Sequence, residues 1–267
     1  MPDTPPAPAA DARSAEPWSA GRIVVNASTY NERDTIETLI DRVLGARDDL
    51  HMLVVDDDSP DGTGLVALAR AATEPRLHVL IRRGRRGLGS AILEGLHEAR
   101  RRGFEIAVFM DADLSHDPDD IPRLLAAMEP PGGRPADLAI GSRRVPGGRT
   151  VGRPLSREIM SRLACWFTRW VLWVPVRDGS SGFRAVRLDV LDRFSAPLAG
   201  GMAGTPPTGY AFLEYMLWAV NGAGGRVVEV PVTFTDRTQG SSKADLAETC
   251  RCIGDLLGLA RRTWLGV

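Results

Sequence analysis

The sequence predicts a single-domain α/β protein built on a doubly wound, mostly parallel β-sheet. Between Arg22 and Met110, four short apolar runs alternate with three segments of helical apolar spacing, the pattern of parallel βαβ units. A polar or charged turn follows each apolar run, at Asn26 to Glu32, Asp56 to Ser59, Arg82 to Arg86 and Asp111 to His116. Ligands gather at such strand ends. The 267 residues, 43% of them hydrophobic, suffice for one substantial core.

Residues 1–20 are Pro, Ala, Asp and Ser with little to bury, so a disordered tail is expected before one domain over 21–267. Arg22 to Asn26 reads as a buried strand, and Ile36, Leu39, Ile40 and Val43 set a helix from Glu32 to Leu44. His51 to Val55 is the second strand. Asp61-Gly62-Thr63 opens a helix from Leu65 to Ala72, and Leu77 to Ile81 is the third strand. A helix from Leu88 to Arg102 leads to the fourth strand, Ile106 to Met110, and Asp117-Pro118 looks like a further helix start. The second half reads as a strand at Ala136 to Ile140, an Arg, Gly and Pro loop from Arg143 to Pro154, and a helix from Glu158 to Val174. Val186 to Leu191 and Tyr210 to Val220 look helical, Arg226 to Thr235 is a late strand, and a helix from Asp245 to Trp264 closes the chain.

Lys and Arg number 33 against 34 Asp and Glu, so no global field draws the protein to nucleic acid, which is not expected as a partner. Cys165, Cys250 and Cys252 cannot make a disulfide framework or a zinc site, which favours a reducing, cytoplasmic setting. There is no run of ~18 uncharged apolar residues and no signal-peptide pattern.

Asp111 and Asp113 flank Ala112 at a strand exit, where an extended backbone points both carboxylates the same way. Two hard oxygen ligands suit Mg²⁺ or Mn²⁺ shared with a diphosphate, and a helix cap is an equal alternative. Asp56, Asp57 and Asp58 end another strand, where carboxylates accept hydrogen bonds from a ribose or base N–H, although a Ser59-Pro60-Asp61-Gly62 turn also uses acids. Gly87-Leu88-Gly89-Ser90 imitates a dinucleotide fingerprint, but its third glycine position is Ile92 and it follows the third strand. Arg82, Arg83, Arg85 and Arg86 before it read as a solvated loop. Arginines 143, 144, 149, 153, 157 and 162, with Arg169 beyond, make a phosphate site beside the carboxylates. Trp166, Trp170 and Trp173 follow at i, i+4 and i+7, as either core or an interfacial face.

Together these residues resemble family 2 glycosyltransferases, and among them the polyprenol (dolichol) phosphate mannose synthases, from about Ile23 to Trp264. The resemblance rests on Thr29-Tyr30-Asn31-Glu32, Val54 to Thr63, Arg86 to Ala91, Met110 to His116, Gly141-Ser142-Arg143, Arg157 with Ser161, Asp178 to Arg184, Gly209 to Phe212 and Asp236 to Lys243. It implies a glycosyltransferase A fold and a nucleotide sugar donor, GDP-mannose above all. By the same resemblance Thr29, Tyr30, Glu32 and Asp57, with Asp56 and Ala112 beside them, contact the donor nucleotide. Asp111 and Asp113 hold the metal on the diphosphate, and Arg143, Arg157 and Ser161 receive the lipid phosphate. Arg237 and Lys243 close over the donor phosphates. The implied catalytic set is Asp113, Arg143 and Arg157, and the implied partners are a polyprenyl phosphate, the cytoplasmic membrane surface and a membrane-anchoring subunit.

The chain departs from the family pattern at Ser28, where proline is usual, and at Cys165, where asparagine is usual. In Leu213-Glu214-Tyr215 the family's acid is displaced by one. Three rival functions follow: transfer to a soluble hydroxyl or amine with Glu214 as base, a catalytically silent binding module, and, least of all, a nicotinamide oxidoreductase. His116, within the Met110 to His116 motif, reads as an exposed turn residue, as much structural as catalytic.

Overall fold

A computed structural model describes residues 12–13, 22–193, 207–236 and 246–265. The strands are β1 (Ala12–Arg13), β2 (Ile23–Thr29), β3 (Leu50–Asp56), β4 (Leu77–Ile81), β5 (Ile106–Asp111), β6 (Leu138–Ser142), β7 (Arg149–Val151), β8 (Arg184–Arg187), β9 (Val227–Pro231) and β10 (Thr233–Thr235). The helices are α1 (Arg33–Ala46), α2 (Thr63–Ala71), α3 (Leu88–Arg101), α4 (Ile121–Met128), α5 (Leu155–Trp170), α6 (Asp189–Arg193), α7 (Phe212–Gly222) and α8 (Leu246–Leu265).

The main sheet runs β1-β4-β3-β2-β5-β8-β6-β9, and β7 pairs with β10 in a separate parallel ribbon. Only β1 and β8 run against their neighbours in that sheet. Chain progression reverses between β2 and β5, the switch point at which open α/β sheets bind ligands. Strand alternation divides the core by face. Val24, Leu53, Val55 and Phe109 pack with α3 and α7, while Val25, Met52, Val54, Val108 and Met110 pack with α1, α2 and α4. Helix α3 lies close on β2 because Gly95 faces Asn26, whose side-chain amide leaves no room for a Cβ there.

The first half follows the sequence expectation to within a few residues, and the second half corrects it. Val186 belongs to strand β8 and only the short α6 is helical, because Ala185 and Val186 must enter opposite cores. The loop from Arg143 to Pro154 contains β7, and the late strand divides into β9 and β10 about Val232, whose carbonyl accepts from Arg149 N. Helix α5 ends at Trp170, and Trp173 sits beyond it with φ 57°. The expected tail lies outside the described residues except for Ala12–Arg13, which pairs with Ile81 and Leu80.

At the end of the sheet away from the strand carboxyl termini, His51 Nδ1 and His78 Nε2 are 3.1 Å apart in nearly parallel rings, with Phe104 edge-on to His51. Both imidazoles are buried. Burial, then the neighbouring His51 and Arg102, hold His78 down to about 4 from 6.5. A histidine depressed on folding contributes stability that is complete above pH 6.5 and is lost as pH falls toward 4. Denaturant unfolding at pH 7 and pH 4 should show His78→Gln losing about 3 kcal/mol less across that interval than the parent; an identical pH dependence would uncouple this pair from acid stability.

Candidate active site

A cleft of about 540 Å³ opens over the carboxyl ends of β2, β3 and β5. Of the residues expected at a site, Thr29, Tyr30, Glu32, Asp57, Asp111, Ala112, Asp113 and Arg157 line it. Asp56, Arg143 and Ser161 do not line it; they stand behind its walls. Arg237 and Lys243 lie outside the described residues.

Asp56 is buried and accepts from Thr29 Oγ1 at 2.7 Å and from Ser59 N and Oγ at 2.9 and 2.5 Å. It joins the ends of β2 and β3 instead of facing a ligand. Asp57 does face the cleft. Its carboxylate pairs with Arg82 Nη1 at 3.0 Å and accepts from Gly87 N at 2.9 Å. Burial raises Asp57 to about 6, against the pull of Arg82. The glycine loop therefore uses its N–H on a protein carboxylate, and Gly89 admits Phe212 and the Gly209 carbonyl at distances a Cβ would not allow. The solvated reading of the arginine loop fails at Arg82, which is buried between Asp57 and Glu94. Arg86 stays exposed and stacks 4.4 Å from the Tyr30 ring centre, a planar cation-on-ring platform beside Asp57.

Asp111 ends β5 and Asp113 lies in the turn after it, both part exposed in the cleft floor. Asp113 Oδ1 accepts from Ser115 N at 3.1 Å. Gly182 leaves open the space above Asp111, where a Cβ would stand 3.3 Å from Oδ2. Among the described residues no three His, Cys, Asp or Glu side chains form a metal-holding group. Two carboxylates with ligand positions left over are what a hard divalent cation shared with phosphate oxygens requires.

The opposite wall comes from the β6 end, the ribbon and α5. Arg143 is buried against Asp178, with Nη2 to Oδ1 at 2.6 Å and both Nε and its own N–H to Oδ2 at 2.8 Å. Burial opposes both charges, and their mutual hydrogen bonds prevail: Arg143 is raised and Asp178 lowered. Ser161 accepts from Arg144 at 3.1 Å and contacts Ser180 at 2.8 Å, and Arg157 pairs with Asp236 at 3.3 Å. Cys165 packs on the same Asp178 and Ser180.

Two residues weighed as catalytic bases are buried away from that role. His116 is not an exposed turn residue: it is 1% exposed between Phe183 and Phe234, and burial, then Arg143, lowers it to about 4. Glu214 is buried in α7 beneath the cleft, raised to about 7 by burial against the pull of Arg184, and does not line the cleft. Arg184 is wholly buried and donates to the carbonyls of Ser181, Gly179 and Leu213 at 2.9, 2.7 and 2.6 Å.

Arg153, Tyr210, Phe234, Asp236 and Arg251 also line the cleft; the sequence offers Tyr210 and Asp236 only as members of motifs, and Phe234 and Arg251 not at all. Arg153 was visible only as one of a crowd. Phe234 carried no signal, and Asp236 none for its place beside Arg157, because the ribbon that brings them in joins segments some 80 positions apart.

This sheet, its switch-point cleft and its paired acids define the glycosyltransferase A fold. The chain belongs to the family described as Glycosyl transferase family 2, whose model matches residues 25–194, and it is a glycosyltransferase. It is 42% identical over 83% of its length to the polyprenol monophosphomannose synthase of Mycolicibacterium smegmatis, covering 80% of that protein. It is 40% identical to the undecaprenyl-phosphate mannosyltransferase of Micrococcus luteus, covering 83% of this chain and 87% of that one. Among solved structures, the glucosyl-3-phosphoglycerate synthase of Mycobacterium tuberculosis with Mn²⁺, UDP and phosphoglyceric acid superposes with a TM-score of 0.62 at 20% identity, over 91% of this chain and 79% of that one.

Removing one member of a buried ion pair strands the other charge. Asp178→Ala should cost ~3–5 kcal/mol in denaturant unfolding, and replacing Arg143 and Asp178 together by Met and Leu should recover most of it. A single variant as stable as the parent would show that the pair does not hold this wall.

Proposed function

We propose that the chain transfers mannose from GDP-mannose to a polyprenyl phosphate, with inversion and with Mg²⁺ or Mn²⁺, on the cytoplasmic face of a membrane. The observation that carries this reading is the order of groups across the cleft. Tyr30, Arg86 and Asp57 stand at the β2 to β4 side, Asp111 and Asp113 at β5, and Arg153 and Arg157 beside α5. That is the sequence nucleoside, diphosphate, acceptor phosphate. The names of the two mannosyl-transferring relatives support the substrates, and the Mn²⁺ and UDP of the solved fold relative support the metal.

The nucleophile needs little help. A phosphate monoester with a second pKa near ~6 is already anionic at neutral pH, so its oxygen attacks the sugar C1 as the bond to the diphosphate breaks. Asp111 and Asp113 would hold the divalent cation, which neutralises the charge that develops on the leaving diphosphate. Asp57, ionised above about pH 6, accepts from the nucleoside. Arg157, oriented by Asp236, meets the acceptor phosphate, and Arg143 with Ser161 supports that wall from behind. We assign Arg237 and Lys243 to closure over the donor phosphates. The rival transfer to a soluble hydroxyl or amine requires a general base, and neither buried His116 nor buried Glu214 reaches the cleft as one.

The acceptor's lipid supplies the reason for the surface of α5. Leu155, Ile159, Leu163, Trp166 and Trp170 form one stripe and are exposed, Trp166 by 59% and Trp170 by 61%. Trp173 meets Trp264 of α8 edge-on at 5.5 Å, which extends the apolar face to Leu257 and Ile253. Exposed Arg162, Arg169 and Arg261 flank it. No described helix is long and apolar enough to cross a membrane, and an apolar, arginine-edged face of this kind lies in the headgroup region.

With Mn²⁺ or Mg²⁺, a panel of nucleotide sugars and undecaprenyl phosphate, mass spectrometry should detect a mannosyl lipid. Asp113→Ala should lower transfer by roughly 10³-fold with thermal unfolding unchanged; near-normal turnover would remove the metal assignment. Trp166→Ser with Trp170→Ser should abolish salt-sensitive sedimentation with anionic liposomes while leaving the melting temperature unaltered. Failure of the parent to sediment would assign that face to a membrane-anchoring protein partner.

A further inference from the structure

The arginines of the acceptor wall are not equivalent. Arg143 pairs with Asp178, Arg144 and Arg162 with Glu158, and Arg157 with Asp236, while Arg149 donates to Thr233 Oγ1. Arg153 differs. Its Nε and Nη1 are buried and have no hydrogen-bond partner among the described residues. The guanidinium lies in the cleft wall 5.3 Å from the Phe234 ring centre, and Arg143 approaches the same ring at 5.3 Å. Burial first, then repulsion by Arg143, pulls Arg153 below its ordinary value.

A buried donor without an acceptor is costly, and a guanidinium does not escape by losing its proton near neutral pH. A cation over an aromatic face satisfies the charge in part and leaves the Nε and Nη1 donors without an acceptor. Guanidinium N–H groups of this kind are strong donors to phosphate oxygens. The location selects which phosphate. Arg153 immediately precedes Pro154, the N-cap of α5, and stands four residues before Arg157. It therefore shares the end of the cleft that adjoins the exposed Leu155 and Ile159, and Asp111 and Asp113 separate it from Tyr30 and Asp57.

We propose that Arg153 is an anion ligand of the cleft that grips the acceptor's phosphate monoester together with Arg157. The identity of the acceptor rests on the function proposed above; the anion subsite does not. Phe234 then acts as the platform that keeps the guanidinium in the wall while the subsite is empty, and Arg143, neutralised by Asp178, contributes less to the phosphate than its place in the motif implies.

The test uses the full chain with Arg153→Gln and Arg153→Lys. Calorimetry with inorganic phosphate should show Arg153→Gln binding roughly 10- to 100-fold more weakly than the parent, and Arg153→Lys in between. With farnesyl phosphate as acceptor, Arg153→Gln should raise KM by a comparable factor and leave the Kd for GDP with Mn²⁺ unchanged. Without ligand, Arg153→Gln should melt at or above the parent, since it removes an uncompensated charge. Unchanged phosphate affinity, or a large drop in melting temperature, would overturn the anion subsite. A loss on GDP in place of farnesyl phosphate would overturn the acceptor assignment. Absence of transfer by the parent would sink the proposed function, and phosphate calorimetry would still decide the role of Arg153.

Discussion

Among the described residues the fully buried guanidinium of Arg184 bonds no carboxylate; it is held by three backbone carbonyls, from Gly179, Ser181 and Leu213. Those contacts fold the turn between α5 and β8 back over the sheet and tie it to the start of α7. The turn in turn presents Asp178 to Arg143 and leaves Gly182 above Asp111. A cation in so dry a place is tolerable only with its donors satisfied. Once they are, the turn is tied at three points, and both the setting of Arg143 and the open space above Asp111 depend on it.

The cleft divides by the way its charges are balanced. On the nucleoside side, Asp57 and Arg82 neutralise each other and leave an acceptor beside an aromatic ring, suited to a neutral, flat, hydrogen-bonding group. On the side of α5, cations exceed their carboxylate partners among the described residues, which suits the doubly charged phosphate of the proposed acceptor. Asp111 and Asp113 lie between these halves and bring two carboxylates to the middle of the cleft floor.

The donor half was legible in the sequence because its parts are local. Each of Tyr30, Asp57, Asp111 and Asp113 ends or follows a strand whose alternation and helical neighbour can be read within ten residues. The acceptor half was not, since it depends on pairings across long separations. Residues Val186 to Leu191 looked helical because a four-residue strand buried on both faces shows no alternation, and Arg143 looked like a ligand because nothing near it in the chain announces Asp178. The tryptophans are a different case: their spacing was clear, and only the fold could tell a core stripe from an exposed one. In Phe234 the limit is plain, for its neighbours His116, Arg143 and Arg153 come from three other segments.

The two-stranded ribbon of β7 and β10 has an evolutionary consequence. Arg153 and Arg157 follow β7 by two and six residues, and Asp236 follows β10 by one. A shift of one residue in either strand would turn its side chains to the other face and separate Arg157 from Asp236. The place before the ribbon where a change of length would spare that register is the turn of Val145 to Gly148, whose ends are closed by a Gly148 N to Val145 O hydrogen bond. Lengthening that turn would leave the pairing of β7 with β10 in place, whereas any change in the spacing from Arg149 to Arg157 would carry Arg157 away from Asp236.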